Sequence, residues 1–180
     1  MSADRGPPLA LQERKGAGTP YVAHLMAVSS MVLENGGDEE QAIAGLLHDV
    51  IEDGGSEYAP ELNARFGKEV VRIVGLATDA ATDPKPPWRE RKERYVAKLA
   101  TLDRRAALVV GCDKLHNARA IVADVRAEGP GVFARFTADE PGIAWYYGAL
   151  AAGLAPLLPP RLADALTEAA GEVVRLAEAG

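Results

Sequence analysis

Gly45-Leu46-Leu47-His48-Asp49-Val50-Ile51-Glu52-Asp53-Gly54 is the stretch on which the fold turns. On a helix, at about 100° per residue, His48, Glu52, Asp49 and Asp53 fall within an arc of about 140°. Ile43, Leu46, Val50, Leu47 and Ile51 fill most of the remainder. One face suits a core, and the other crowds three carboxylates against an imidazole. Carboxylates that close repel each other, and a divalent cation removes the repulsion. A solvated acidic helix end before Gly54-Gly55 is the plainer alternative, and for an isolated His-Asp pair it is the default. The surrounding chain has to decide.

On the N-terminal side, Asp38 is placed to cap this helix, and Asn35-Gly36-Gly37 ends the one before it. That earlier helix, about 21–34, is expected to open with Thr19 as cap and Pro20 at its first position. It aligns His24, Val28 and Met31 on one side. Helices joined by a short connection are antiparallel neighbours, so His24 can meet His48 and Asp49. Without such a partner His24 is a buried core residue. Residues 9–16 read as the end of a short first helix closed by Gly16.

On the C-terminal side, helices are expected at about 59–66 and 68–77, followed by Asp79–Pro87, whose three prolines forbid regular helix. This is a surface loop within one domain. Trp88 then opens a basic helix whose mixed Glu/Arg pattern suits salt-bridged i,i+4 pairs. Lys85, Arg89, Arg91 and Lys92 are the candidates there to face a phosphate-rich ligand. A further helix, 106–125, places Asp113 after the apolar Val109-Val110, with Asn117 one turn on. A carboxylate buried in that setting needs a cation, donors or a neighbouring Lys or Arg. Two last helices, 140–158 and 160–179, carry the stripe Leu162, Leu166, Ala169, Val173 and Leu176. It needs covering by the core or, in a homo-oligomer, by a second subunit.

The composition agrees with a single all-α domain spanning 1–180. Val, Ile and Thr never alternate over a strand's length, and no repeat occurs. Twenty Lys plus Arg against 26 Asp plus Glu, a net charge of −6, argue against a general nucleic-acid surface. No apolar run would span a bilayer, so no membrane role is expected. The lone Cys112 excludes an internal disulfide and suits a reducing, cytoplasmic setting, packed as a small apolar residue.

Five ordered blocks carry a resemblance. They are Arg14-Lys15 with Gly18-Thr19-Pro20-Tyr21-Val22-Ala23-His24; Leu46 to Asp53; Arg65 to Val70; Asp113-Lys114-Leu115-His116-Asn117-Ala118-Arg119; and, more weakly, Glu90-Arg91-Lys92. Over roughly residues 14–150 the chain resembles the HD-domain metal-dependent phosphohydrolases. It is most similar to the hydrolase domain of RelA/SpoT-type alarmone enzymes and to the small alarmone hydrolases. The resemblance implies a compact helical HD-domain fold and one metal, usually Mn²⁺, held by His24, His48, Asp49 and Asp113. Two imidazoles and two carboxylates also suit Fe²⁺ and, less specifically, Zn²⁺. It further implies Glu52 and Asp53 as the catalytic pair, Asn117, Arg14 and Lys15 as substrate-binding residues, and Tyr146 as a substrate-pocket aromatic. The implied reaction releases pyrophosphate from the ribose 3′ oxygen of guanosine tetra- or pentaphosphate, a small-molecule nucleotide. Leu25 stands where many members have Pro, and Ala120 where alarmone hydrolases often have Thr. Those departures keep two alternatives open: hydrolysis of another nucleotide or phosphoester, and a silent nucleotide-binding module. His116 is left out of the implied site because the family tolerates Tyr there. The 180 residues leave no room for a synthetase domain beside the hydrolase-like part.

Overall fold

A computed structural model describes residues 18–79 and 86–179. Among them the chain forms nine α-helices joined by turns and short 3₁₀ segments, with no strand. In chain order these are α1 (Val22–Glu34), α2 (Glu39–Leu47), α3 (Val50–Gly54), α4 (Ala59–Phe66), α5 (Lys68–Ala77), α6 (Trp88–Leu99), α7 (Arg104–Glu128), α8 (Glu140–Leu154) and α9 (Pro160–Glu178). The all-α expectation holds.

The long α7 is the axis. Every residue from Ala106 to Asp113 is buried, the pattern of a helix wrapped by others on all sides. Helices α1, α2, α5, α8 and α9 all pack against it, and α6 lies on α8. Arg89 stacks its guanidinium 3.6 Å from the Trp145 ring centroid, while Trp88 meets Trp145 and Tyr146 edge-on. These contacts fix α6 to α8 by aromatic and cation–π packing.

Local chemistry sets the α1–α2 corner. Gly36 adopts φ +85°, which L side chains disfavour, and a Cβ on Gly37 would stand 2.4 Å from Val32 Cγ1. Asp38 then closes a reciprocal capping box: its Oδ1 accepts from the Gln41 N–H at 3.0 Å, and its own N–H donates to Gln41 Oε1 at 3.1 Å. Gln41 also donates to the Arg105 carbonyl at 3.0 Å, tying α2 to the start of α7.

Four sequence expectations need correction. The opening stretch is not one helix: α2 stops at Leu47, Asp49 sits at φ −94°, ψ −5°, and α3 restarts at Val50. The His48 ring takes the Gly45 carbonyl at 2.8 Å, the acceptor a continuing helix would offer to the Asp49 N–H. Helix α1 starts at Val22 with Tyr21 at the N-cap, not at Pro20 with a Thr19 cap; the Tyr21 side chain does not cap it, and its hydroxyl bonds Asp49. Helix α7 begins at Arg104, capped by Asp103, whose Oδ1 accepts from the Ala106 N–H at 2.8 Å. Helix α8 ends at Leu154, where a 3₁₀ turn containing Pro156 takes over. The apolar stripe of α9 faces α7 and α8, with Leu162, Leu166 and Val173 buried, so the chain covers it itself. The short helix expected before Gly16 lies outside the described residues.

Candidate functional site

Three segments converge on one point. His24 comes from the second turn of α1, His48 and Asp49 from the break between α2 and α3, and Asp113 from the middle of α7. His24 Nε2 stands 3.3 Å from His48 Nε2, 4.0 Å from Asp49 Oδ2 and 3.3 Å from Asp113 Oδ1. His48 Nε2 lies 3.1 Å from Asp49 Oδ2 and 3.5 Å from Asp113 Oδ1. Ligands bound about 2.1 Å from one ion, at roughly 90–110° to each other, stand about 3.0–3.4 Å apart. Three of these five separations fall in that range, while His48–Asp113 at 3.5 Å and His24–Asp49 at 4.0 Å are wider.

His48, Asp49 and Asp113 each have a further partner. His48 Nδ1 donates to the Gly45 carbonyl at 2.8 Å, an acceptor only, so the proton sits on Nδ1 and Nε2 offers its lone pair inward. The Tyr21 hydroxyl donates to Asp49 Oδ2. Asp113 receives the Asn117 amide on Oδ1 and the Lys114 ammonium on Oδ2, both at 2.6 Å. Burial opposes charge at every one of these positions. For Asp113 the nearby Lys114 and His48 outweigh burial and hold the carboxyl well below its ordinary range. For His48 the two carboxylates outweigh burial and raise the imidazole's affinity for a second proton well above its ordinary value. A divalent cation would replace that proton and meet the same two carboxylates. The mixed nitrogen and oxygen donors suit a metal of borderline hardness, and His24, His48 and Asp49 could hold one, with Asp113 Oδ1 beside both histidines.

Beside the cluster opens a cavity of about 580 Å³, bounded by Glu52, Asp53, Lys92, Lys114, Asn117 and Tyr146, among others. It adjoins the cluster through Lys114 and Asn117, both bonded to Asp113. Glu52 and Asp53 stand on α3, half-buried and exposed respectively. Glu52 Oε2 accepts the Asp79 N–H at 3.2 Å, and its Oε1 lies 4.0 Å from Arg91. The lining also carries the aromatic rings of Trp88, Phe136, Tyr146 and Tyr147. Lys92 lies 4.8 Å from the Tyr146 ring centroid, and Tyr146 is buried with its hydroxyl unpaired among the described residues. A cavity lined by ammonium and guanidinium groups together with aromatic rings suits a phosphorylated nucleotide.

His24, His48 and Asp49 come together, Asp113 Oδ1 lies against both histidines, and Glu52, Asp53, Asn117 and Tyr146 line the adjoining cavity. Arg14, Lys15 and Lys85 lie outside the described residues. The basic helix α6 serves both expected roles on different faces: Arg89–Glu93 and Arg94–Glu90 form i,i+4 pairs, while Arg91 and Lys92 turn to the cavity. Sequence reasoning missed Asp79, a nearly buried carboxylate that binds both Arg91 and Lys92. It also missed Arg135 and Phe136, which line the cavity from the 3₁₀ segment after α7 and the residue beyond it. His116, set aside on sequence, lies with its Nδ1 2.9 Å from His24 Nδ1. Its place one helical turn past Cys112 and three residues after Asp113 was the available signal.

The HD domain family pattern matches residues 6–144, well over half of the chain. The chain belongs to the HD-domain family. This HD-domain protein is 34% identical over 116 residues to a probable guanosine-3′,5′-bis(diphosphate) 3′-pyrophosphohydrolase of Synechocystis sp., a match covering 62% of the chain and 15% of that relative. It is 31% identical over 115 residues to the Escherichia coli bifunctional (p)ppGpp synthase/hydrolase SpoT, covering 61% of the chain and 16% of that relative. The HD-domain chain thus spans about one sixth of the length of these curated relatives. Among solved structures, lmo0812 of Listeria monocytogenes superposes with a TM-score of 0.75 at 25% identity, covering 84% of this chain and 99% of that one. A metazoan orthologue of SpoT that hydrolyses ppGpp superposes with a TM-score of 0.67 at 27% identity, covering 92% of this chain and 86% of that one.

Proposed function

We propose that this HD-domain protein hydrolyses the 3′-pyrophosphate of guanosine tetra- and pentaphosphate, releasing pyrophosphate and leaving GDP or GTP. The observation that carries the proposal is the junction at Asp113: one oxygen faces the two histidines, and the carboxylate's partners, Lys114 and Asn117, form the wall of the cationic, aromatic cavity. The relatives that hydrolyse or are named for hydrolysing this nucleotide support the substrate. Residues 1–180 act as one domain, and a nucleotide substrate together with a buried Cys112 suits the cytoplasm.

His24, His48, Asp49 and Asp113 would hold the ion, which we take to be Mn²⁺ with Fe²⁺ or Zn²⁺ as alternatives. When bound, such an ion acidifies water and polarises the phosphoryl group. Glu52 takes the proton of the attacking water, and Asp53 shares that proton or holds the water in line. The water oxygen bonds to the phosphorus on the ribose 3′ oxygen as the bond from phosphorus to O3′ breaks. O3′ leaves with its electron pair and is protonated, and pyrophosphate departs. Lys92, Lys114 and Arg91 offset charge on the phosphoryl oxygens. Asn117 holds the ribose or phosphate, Tyr146 and Trp88 pack on the nucleoside, and Arg14 and Lys15 bind beside it.

Incubation of purified protein with guanosine tetraphosphate and Mn²⁺ tests this. GDP and pyrophosphate in equal amounts are expected. Orthophosphate as the product, or turnover confined to other phosphoesters, would reject the assigned reaction.

A further inference from the structure

We propose that His116 is a positioning residue that fixes the metal-binding tautomer of His24. The proposal rests on the assignment of His24 as a ligand and extends it to a residue outside the ligand set. His24 has two ring nitrogens with separate tasks. Nε2 faces His48, Asp49 and Asp113, while Nδ1 meets His116 Nδ1 at 2.9 Å with the ring centroids 4.8 Å apart. A neutral imidazole carries one proton, and a nitrogen that binds a cation must offer a bare lone pair. With Nε2 bare, the His24 proton sits on Nδ1, and the described residues give that N–H one acceptor, His116 Nδ1. His116 Nδ1 must then be bare, with the His116 proton on Nε2. A His116 proton on Nδ1 would either set two N–H donors face to face at 2.9 Å or, with the bond reversed, move the His24 proton to Nε2, where it would block the ion.

The two histidines are therefore oriented by different means. His48 is fixed by a backbone carbonyl of its own helix, which can only accept. His24 is fixed by a side chain from α7, three residues beyond Asp113. One helix thus supplies a ligand on one side of the cluster and the orienting acceptor on the other. Loss of such an outer partner typically weakens metal affinity about 10–100-fold.

The test uses the full chain, ¹⁵N-labelled and loaded with Zn²⁺ as a diamagnetic probe. Long-range ¹H–¹⁵N spectra are expected to place the His24 proton on Nδ1 and the His116 proton on Nε2; a His116 proton on Nδ1 would overturn the proposal. Zn²⁺ titrations of variants give a second readout. His116→Asn keeps an acceptor oxygen near the position of Nδ1 and is expected to bind within about threefold of the unaltered chain, whereas His116→Leu is expected to bind about 10–100-fold more weakly. Equal affinity of a folded His116→Leu chain would overturn the role of His116 alone. Failure of the unaltered chain to bind Zn²⁺ or Mn²⁺ would overturn the ligand assignment itself, and this role with it.

Discussion

Replacing Asp113 with Asn separates the two roles of that carboxylate. Asn keeps the shape, but it removes one of the cluster's two carboxylate charges and leaves the Lys114 ammonium, now 2.6 Å from Oδ2, without a counter-charge. Burial disfavours the charge on Lys114, and Asp113 is the main group that outweighs it. Breaking a buried pair by removing one partner costs about 3–5 kcal/mol. Relief of repulsion between Asp113 and Asp49 offsets part of this, which favours the lower end. At about 2–4 °C per kcal/mol for a chain of this size, the metal-free protein should melt roughly 6–20 °C lower. With Mn²⁺ at 100 times its Kd, the unaltered chain should gain about 2.7 kcal/mol, or roughly 5–11 °C. If the variant binds about 100-fold more weakly, its gain at the same concentration falls to about 0.4 kcal/mol, roughly 1 °C. Scanning calorimetry of chelator-treated protein, before and after Mn²⁺ addition, measures both numbers. An Asp113→Asn chain that keeps the whole Mn²⁺-induced rise would refute Asp113 as a ligand.

Glu52→Gln should retain Mn²⁺ yet lower kcat by about 10²–10⁴-fold, and a wild-type kcat would remove Glu52 from proton transfer. Lys92→Met should raise KM for guanosine tetraphosphate about tenfold with a smaller change in kcat; steady-state kinetics with KM unmoved would count against a phosphate contact. Gly37→Ala forces a Cβ to 2.8 Å from the Val32 carbonyl oxygen, so urea unfolding should give a loss of about 1–3 kcal/mol, and no loss would contradict the close approach. Glu69 is bonded to Arg72 and Arg105, and the Arg72 bond chiefly lowers its pKa from 4.5 to about 2. A folded-state pKa below the unfolded one stabilises above pH 4.5 and is lost as pH falls towards 2. Glu69→Gln should therefore flatten the fall in Tm across that interval by an amount below about 1 kcal/mol, since the group is solvent-screened; a slope identical to the parent's would be inconsistent with it.

Much of the helical frame was legible because local signals agreed. The bounds of α4 and α5 follow from Pro60 near one helix start and Gly67, at φ +87°, between the two. The convergence of His24, His48, Asp49 and Asp113 was legible through resemblance, and the buried Val109-Val110 run before Asp113 agreed with it. The break at His48-Asp49 was not legible, because apolar periodicity continues across it while a side chain takes a backbone acceptor. Asp79 lay hidden at the head of a Pro-rich loop, where nothing local marks a carboxylate that binds Arg91 and Lys92 more than ten residues ahead. Arg135 and Phe136 fall in and just after a 3₁₀ segment without helical periodicity, so only tertiary packing brings them to the cavity.

Asp113, Lys114, His116 and Asn117 all ride on the buried shaft of α7. Each added residue turns a helix by about 100° and advances it about 1.5 Å. A single insertion between Arg104 and Cys112 would therefore swing the carboxylate away from both histidines and carry the ammonium, the second imidazole and the amide with it. The proposed ion and nucleotide contacts are geared to one spindle, so a change in length that spares them has to fall outside it, in the connections before Asp103 or beyond Glu128.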